Sequence, residues 1–585
     1  MKNLNKVVLI IAGCGLLLQA CKKGSSNNGG STPTDTTPTT ITPPTEPAIA
    51  NTQGFFLDNW QAKTWVAPTA TTATKPSADG SAIVTVDLSK EITKVSSLVY
   101  GNNANPFMGQ IATVPILINN ITSLSPNIIR FPGGSLSDVY FWDQSSHAPA
   151  DVPAQLLDNN GNASTASYWF GNNSSYNGTM TVDNYYSVLQ QTNSTGLITV
   201  NYGYARYGTS ANPVQTAAHY AANWVRYDKG RTKYWEVGNE IYGNWEAGYR
   251  IDQSKNKDGQ VQIQDGTTYG NHFKIFADSM RAAATEVGNT SIKIGIVVDG
   301  ADDSNGANEA QVSNWNNNVL KAAGNTADFF VVHNYYTPYA QNSNPATILG
   351  TPAPGTSQML SWIKTSATNA GVTQKPVAMD EWNIFATGSS QMVSNVAGVH
   401  AVMVLGETLK NQISMASRWD LANGYANGDD MGMFNNSALY EDAEPGAPAW
   451  NPRPAFYYMY FFQHYIGDHL LTTASNDADI AAYGSSYTSG QAGVIIVNKG
   501  TGTHTVKVNF LNFAAGSNYY YYTLTGGSDN PPFSHKVYVN GVGPSTASGG
   551  PSNYATISAR SSSIAGGIIV SIPANTAVYL VADKK

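Results

Sequence analysis

The stretch KYWEVGNEIYGNWE, Lys233 to Glu246, decides how the chain is read. Tyr234, Trp235 and Val237 make an apolar strand that ends in Gly238-Asn239-Glu240 and runs on into a loop carrying Tyr242 and Trp245. A carboxylate at the mouth of an apolar strand is costly to desolvate and is kept where chemistry needs it. A lone glutamate there would ordinarily be a solvated loop residue. A second stretch of the same design, PVAMDEWNIF from Pro376 to Phe385, sets Glu381 where another apolar strand ends. Two such carboxylates are the minimum equipment for cleaving a glycosidic bond, so Glu240 and Glu381 are the candidate catalytic pair.

Working outward, apolar runs rich in β-branched residues alternate with helical patterns. The runs are Ser96 to Asn103, Asn127 to Gly134, Gly196 to Gly203, Lys233 to Glu240, Ile292 to Asp299, Asp328 to Tyr336, Pro376 to Asn383 and Ser414 to Ala422. Between them, Asn212-Pro213 supplies an N-cap and a first-turn proline, and Gly288 a C-terminal cap. Val393 to Gln412 repeats apolar residues at helical spacing, and Ala455 to Leu471 reads as a last helix closing the barrel. Strands alternating with helices mean parallel βαβ units, and eight of them suggest a closed (β/α)8 TIM barrel. An open doubly wound sheet is the alternative, but no glycine-rich phosphate loop follows the first strand. Beyond the barrel only short alternating runs remain, from IAAYGSSY to TAVYLVAD, with turn residues between them. They indicate a C-terminal antiparallel β-sandwich. The expected fold class is α/β, with the barrel over 91–455 and the sandwich over 456–585. Residues 51–90, around the strand Val84 to Val86, are a candidate addition to the sandwich.

A chain of 585 residues is too long for one core, in keeping with that division. Charged residues make up 12%, about half the usual share, while Tyr and Trp number 33 and 12. The surface is therefore neutral and polar, which suits hydroxyl-rich sugars. A net charge of −7 argues against a nucleic-acid partner. At the amino end, MKNLNKVVLIIAGCGLLLQAC has a lysine-bearing start and an apolar run, Val7 to Leu18, too short to span a bilayer. It reads as a secretory signal over 1–20. Leu18-Gln19-Ala20-Cys21 resembles a bacterial lipobox, which implies cleavage before Cys21 and lipidation there. Residues 21–50, rich in Gly, Ser, Thr and Pro, read as a disordered tether. The expected location is the bacterial envelope, at the outer membrane or cell surface, with membrane contact only through the lipid. Because Cys14 lies in the removed segment, neither a disulfide nor a cysteine metal site is expected.

A barrel of this kind works at the carboxyl ends of its strands, and Glu240 and Glu381 end the fourth and seventh. Arg130, His333, Tyr335, Trp382, Trp419 and Asp420 stand at other strand ends. Strict alternation would send Asn239 and Glu240 to opposite faces, so both reach the site only if the chain already turns there. Other acids compete. Glu236 lies deeper on the same strand, where an interior ion pair is expected, and Asp380 should face away from its neighbour Glu381. Glu246 and Asp299 could line the cleft, and Asp429-Asp430 read as solvated acids rather than a calcium site. The loop from Ser135 to Met180 is long and aromatic, as a wall of sugar-stacking subsites would be.

Together WEVGNE, DEWN, RFPGG, the HNYY run and the VYGNN start resemble the retaining glycoside hydrolases of clan A. Within that clan they are closest to the family-51 type α-L-arabinofuranosidases, over Val86 to Ala455. The resemblance implies Glu240 as general acid/base and Glu381 as nucleophile. It implies Asn239 on the sugar hydroxyl beside the reacting carbon, Arg130 orienting the nucleophile, and His333 and Tyr335 against the two carboxylates. Trp382 and Trp419 complete the candidate substrate-binding set, and neither cofactor nor metal is called for. The chain departs from the family where Asn105 replaces a sugar-gripping glutamate, where Ser135 follows RFPGG, and where Arg418-Trp419-Asp420 lacks a glutamine. Those departures bear on arabinose specificity rather than on mechanism. In that mechanism Arg130 lowers the pKa of Glu381, while the aromatic setting and the charge of Glu381 keep Glu240 protonated. Retention requires the two carboxyls about 5–5.5 Å apart. Other readings are a different clan A activity (xylosidase, endoglycanase or agarase) and a non-catalytic glycan-binding lipoprotein, which would have no need of the two glutamates.

Overall fold

The computed structural model describes residues 41–77, 80–173, 179–301, 311–425, 431–436 and 444–585. The signal segment, Cys21, most of the tether, the tip of the long loop and Asp429-Asp430 lie outside the described residues.

The eight runs form eight strands: Gly101–Asn103, Ile128–Phe131, Thr195–Val200, Tyr234–Val237, Lys293–Val297, Phe329–Tyr335, Val377–Asn383 and Met415–Arg418. They pair in parallel, and the eighth returns to the first, closing the barrel. Each is followed by a helix, from Pro115–Ser123 after the first strand to Pro454–Tyr465 after the eighth. The strands read as continuous apolar runs because both faces are covered, the inner by the barrel's own side chains and the outer by helices. At the amino-terminal end the interior is filled by Leu98, Ile128, Leu197, Tyr234, Phe329, Val331, Ala378 and Met415. Phe56, on the short helix Gly54–Leu57, packs into that layer, and the backbone N–H of Val377 donates to Thr52. Burying a phenylalanine ring is worth about 1.5–3 kcal/mol, so this amino-terminal plug is part of the barrel's stability.

The carboxyl-terminal strands form an eleven-stranded sheet. It is antiparallel except where the segment preceding the barrel joins it. Ala82–Lys94 runs parallel to His504–Leu511, and Ala70–Thr72 parallel to Ala559–Ser563. Strands entering from the other side of the barrel in sequence have no hairpin to fix their direction. One face of the sheet encloses its own core, with Val84, Val494, Ile496, Val506, Tyr519, Val570 and Leu580. The opposite face, through Ile495, Leu524 and Tyr579, joins the barrel's apolar cluster around helices Asn395–Lys410 and Pro454–Tyr465.

Two expected boundaries move. The last helix stops at Tyr465, with Ile466 extended, and His469–Ser475 is a sheet strand instead of helix. Gly467 explains the stop: a Cβ there would sit 2.1 Å from the carbonyl oxygen of Ser486. A division at 455/456 would cut through this helix, which belongs with the barrel. Residues 41–50, assigned to the tether, instead lie along the sheet, where Thr45 bridges to Lys90 and Glu46 pairs with Lys94.

Candidate active site

The fourth strand ends at Val237, and the chain turns at once. Gly238 has φ +78° and Glu240 φ +41°. A Cβ at Gly238 would stand 2.8 Å from the Tyr202 side chain, so only glycine fits this left-handed turn. The turn removes the alternation that would have separated Asn239 from Glu240, and both reach the carboxyl end of the barrel.

On the seventh strand the register slips by one residue against both neighbours. His333 pairs with Glu381 and Val331 with Ala378, while Met379 pairs with Ala416 and Trp382 with Arg418. The extra residue is a β-bulge, which turns two successive side chains to one side. Asp380 consequently does not face away from Glu381. Its Oδ2 lies 3.5 Å from Arg130 Nε and its Oδ1 3.4 Å from His333 Nε2. Trp382, next after Glu381, alternates away from it into the barrel wall, where it is wholly buried in the apolar cluster and unavailable as a substrate-binding residue.

Arg130, on the second strand, is the hub. Its Nε donates to Glu236 Oε1 at 2.6 Å, and its Nη1 to Glu381 Oε2 and Asn103 Oδ1, both at 3.0 Å. Its Nη2 donates to Asn239 Oδ1 at 2.9 Å. Asn239 passes the chain on, donating from Nδ2 to Glu246 Oε1, which also accepts from Ser135 Oγ. Its backbone N–H donates to Asp138. Glu246, expected to line the cleft, and Ser135, noted only as following RFPGG, thus join Asp138, which was not singled out, in supporting the site. Glu246 and Ser135 flank motifs read in the sequence, but nothing in the sequence marks Asp138.

The two candidate glutamates meet. One carboxylate oxygen of Glu240, one of Glu381 and a ring nitrogen of His333 all lie within 4.8 Å of one another. His333 Nδ1 is 2.9 Å from Glu240 Oε1. Trp245 Nε1 donates to Glu240 Oε2 at 3.1 Å and the Tyr242 hydroxyl to Oε1 at 3.3 Å. The Tyr335 hydroxyl donates to Glu381 Oε1 at 2.6 Å. Three such groups could hold a metal ion, but here their polar atoms already have protein donors. A second set, Asp477, Asp479 and His504, lies in the sheet and is paired internally.

The proton balance of this resting state is the reverse of the expected one. Burial pushes the Glu240 carboxyl up, but the hydrogen bond and charge of His333, with Trp245 and Tyr242, outweigh it and hold Glu240 below the ordinary carboxylate range. Glu381 is raised, by burial first and by the charge of Glu240, against the pull of His333, Arg130 and Tyr335. The cause is His333, which three acids, Glu381, Asp380 and Glu240, raise well above an ordinary histidine despite its burial. Two carboxylates this close oppose each other's ionisation, and the cation beside Glu240 favours ionisation of Glu240 over that of Glu381. Substituting His333 by asparagine removes a positive charge that lowers both carboxyls. The bell of kcat/KM against pH is then expected to move as a whole to higher pH, by about one unit, alongside a fall in its height. An unmoved bell in a pH-rate series would exclude this role for His333.

Trp419 is half-buried, with its ring against Gly133 and Gly134; a Cβ on Gly134 would lie 2.5 Å from it. It therefore flanks the Arg130 side of the pair. A cleft of about 810 Å³ opens on the other side, lined by Glu240, Glu381, His333 and Tyr335 and by side chains that follow strands four to seven. The described aromatics of the long loop do not form its wall. Phe141 packs on Tyr168, Tyr204 and Tyr220, and Trp142 stacks on Trp224, so the described part of that loop is an apolar cap on neighbouring helices.

Comparison with known proteins agrees with this geometry. Residues 120–347 match the family model described as "Alpha-L-arabinofuranosidase 1 domain". The match takes in Arg130, Asn239, Glu240, His333 and Tyr335 and ends before Glu381. Among solved structures, the α-L-arabinofuranosidase of Thermotoga maritima in its arabinose complex is 16% identical, with a TM-score of 0.57, over 86% of this chain and 99% of that one. A family 51 α-L-arabinofuranosidase from Bifidobacterium longum is 14% identical at TM-score 0.58, over 86% and 100%. A family 44 xyloglucanase from Paenibacillus polymyxa is 12% identical at 0.52, over 86% and 99%. At such identities the likeness is one of fold. No curated protein sequence matches the chain. The resemblance to clan A glycoside hydrolases, read first from five short motifs, is borne out.

Proposed function

We propose that the chain is a retaining glycoside hydrolase, α-L-arabinofuranosidase-like, acting on plant or algal polysaccharides or their fragments by double displacement. The observation that carries this reading is the spacing of Glu240 and Glu381, whose nearest oxygens fall within 4.8 Å. A water-sized gap for direct inversion needs carboxyls roughly 6.5–9.5 Å apart, whereas a covalent glycosyl-enzyme needs about 5–5.5 Å. Glu381, steadied by Arg130 and Tyr335, attacks the anomeric carbon while Glu240 protonates the departing oxygen. Glu240 then takes a proton from the water that releases the sugar. For this, Glu240 must hold a proton when substrate is bound, and His333, whose Nδ1 lies 2.9 Å from it, is placed to give up its own.

The test is the stereochemistry of the first product. Methanolysis of an aryl α-L-arabinofuranoside, followed by NMR, is expected to give the methyl glycoside of unchanged anomeric configuration. Inverted product would refute double displacement. The likeness to a xyloglucanase fold keeps a second clan A activity in play, and a screen of arabinan, xylan, agarose and β-glucan oligosaccharides discriminates. A mere glycan-binding lipoprotein would turn over none of them.

We also propose that the protein is held at the bacterial envelope by a lipid on Cys21. The expected result for Cys21→Ser is loss of the chain from the membrane pellet and of incorporated radiolabelled palmitate. A variant that still sediments with membranes would remove the anchor.

A further inference from the structure

The two ends of the barrel differ in charge. The carboxyl end holds the reactive acids, and the amino end gathers lysines. Lys233, Lys293 and Lys375 stand at or just before the first residues of strands four, five and seven. Lys229, Lys321 and Lys410 stand at the ends of the helices Pro213–Asp228, Trp315–Ala323 and Asn395–Lys410. Strand beginnings and helix ends share one face of a parallel barrel. All six side chains are exposed or half-buried, in a chain whose net charge is −7. The acids that neighbour them are already taken. Asp58 pairs with Lys233, Glu286 with Arg226, Asp328 with Arg281 and Glu407 with Lys410. Lys229, Lys293, Lys321 and Lys375 form no ion pair among the described residues. The helix dipole favours lysine at a helix end, which accounts for Lys229 and Lys321 but not for Lys293 and Lys375.

The amino-terminal segment reaches the barrel on this same face. Thr52 and Gln53 are bonded to Val377, Gln412 and Ser414, at or just before the starts of strands seven and eight. The Phe55 ring lies under the ammonium groups of Lys293 and Lys233, at 5.1 and 5.9 Å. Just upstream, Ile49 is 55% exposed and Ile41 46%. Large apolar side chains beside unpaired lysines suit a membrane interface, where the former enter the headgroup region and the latter meet lipid phosphates. Resting in part on the lipid proposed for Cys21, we infer that the amino-terminal face of the barrel is a docking surface for anionic lipid headgroups. Ile41 follows Cys21 by twenty residues, so the lipid is within about 70 Å of chain from this face. Docking there adds a second membrane contact to the lipid. It also turns the carboxyl end, with Glu240 and Glu381, away from the bilayer and towards arriving glycan.

The test uses the chain from residue 21 bearing Cys21→Ser, which has neither signal nor lipid, and sedimentation with sucrose-loaded vesicles. Each lysine near an anionic surface strengthens partition about fivefold, so about 30% phosphatidylglycerol in phosphatidylcholine should raise it on the order of a hundredfold over phosphatidylcholine alone. The gain should vanish in about 0.5 M NaCl, which screens such contacts. Replacing Lys229, Lys293, Lys321 and Lys375 together by glutamine should remove at least about tenfold of it with the melting temperature unchanged, since these side chains are unpaired and outside the core. Replacing Lys255, Lys257, Lys584 and Lys585, which lie on other surfaces, should leave it intact. Equal partition on neutral and anionic vesicles, a gain that persists in high salt, or equal losses in the two fourfold variants would overturn the inference. Retention by soluble polygalacturonate without binding to anionic vesicles would assign the face to an acidic glycan and overturn it too. Because no lipid is present in this assay, failure of Cys21 to take up palmitate would overturn the anchor alone.

Discussion

Glu381→Ala is expected to lower kcat on an aryl α-L-arabinofuranoside by about 10⁴-fold, roughly 5–6 kcal/mol of barrier, without unfolding the protein. The kinetic half of this follows from position. Among the described residues, neither acid nearest to it is placed to replace it: Asp380 lies deeper, between Arg130 and His333, and Glu246 is taken up by Ser135 and Asn239. The stability half follows from electrostatics. Glu381 is buried and raised by its surroundings, so part of its cost is borne by the folded state. Its removal leaves Arg130 with Glu236 and Asp380, and the melting temperature should hold or rise. Sodium azide gives the sharper readout. An anion small enough for the space of the missing carboxylate can attack from the same face, giving a glycosyl azide of inverted configuration and restoring part of the rate. Azide product of retained configuration would mean that Glu381 is the acid/base and Glu240 the nucleophile. Undiminished activity would remove Glu381 from the mechanism.

What could be read in advance follows from where sequence periodicity and structure coincide. The eight barrel strands are short apolar runs buried on both faces, a signal that needs no alternation, and all eight form. The pairing of Glu240 with Glu381 was legible for the same reason, since strand order alone puts both at one end of a parallel barrel. The failures occur where one residue too many enters a strand. Alternation sends Asp380 and Trp382 both to the face away from Glu381; Trp382 obeys it, and the bulge turns Asp380 inward. No local feature of VAMDEWN announces it, and the charges that Asp380 meets, Arg130 and His333, are far away in sequence. The aromatics of the long loop were misplaced for a related reason, because composition counts rings and does not say which neighbours bury them. His333 lies against Glu240, and its effect on the proton balance depends on that 2.9 Å contact, which only coordinates supply. The plug Gly54–Leu57 was missed because its partners are spread over six of the eight strands.

Arg130→Met is expected to cost more stability than any other single change at this site, and to do so in a pH-dependent way. The guanidinium is wholly buried and faces three acids, Glu236 at 2.6 Å, Asp380 at 3.5 Å and Glu381 at 3.0 Å, with Asn103 and Asn239 filling its remaining donors. Burial alone would disfavour the charge, but those carboxylates outweigh it and raise Arg130 above an ordinary arginine. Not all three acids are ionised at once. Glu236 is pushed well above the usual range by burial and by Asp380, while Asp380 is held below it by Arg130, Glu236 and His333 despite its burial. Removing the guanidinium leaves Asp380 and Glu381 as buried charges with only His333 opposite, a loss of about 3–5 kcal/mol and several degrees of melting temperature. The sign of the pH dependence follows from the carboxyls. In the wild type, Asp380 is depressed, so its contribution is present above its unfolded pKa and is lost as pH falls through the folded value. In the variant, Asp380 and Glu381 are both raised by losing Arg130, so they bind protons more tightly folded than unfolded and stability is lost as pH rises. The gap between the two proteins should therefore be widest near about pH 8 and narrow towards about pH 4, where carboxyls protonate. Thermal melts across that range decide it. A gap that is constant with pH would make Arg130 a packing residue and would detach the charge network from the reactivity of Glu381.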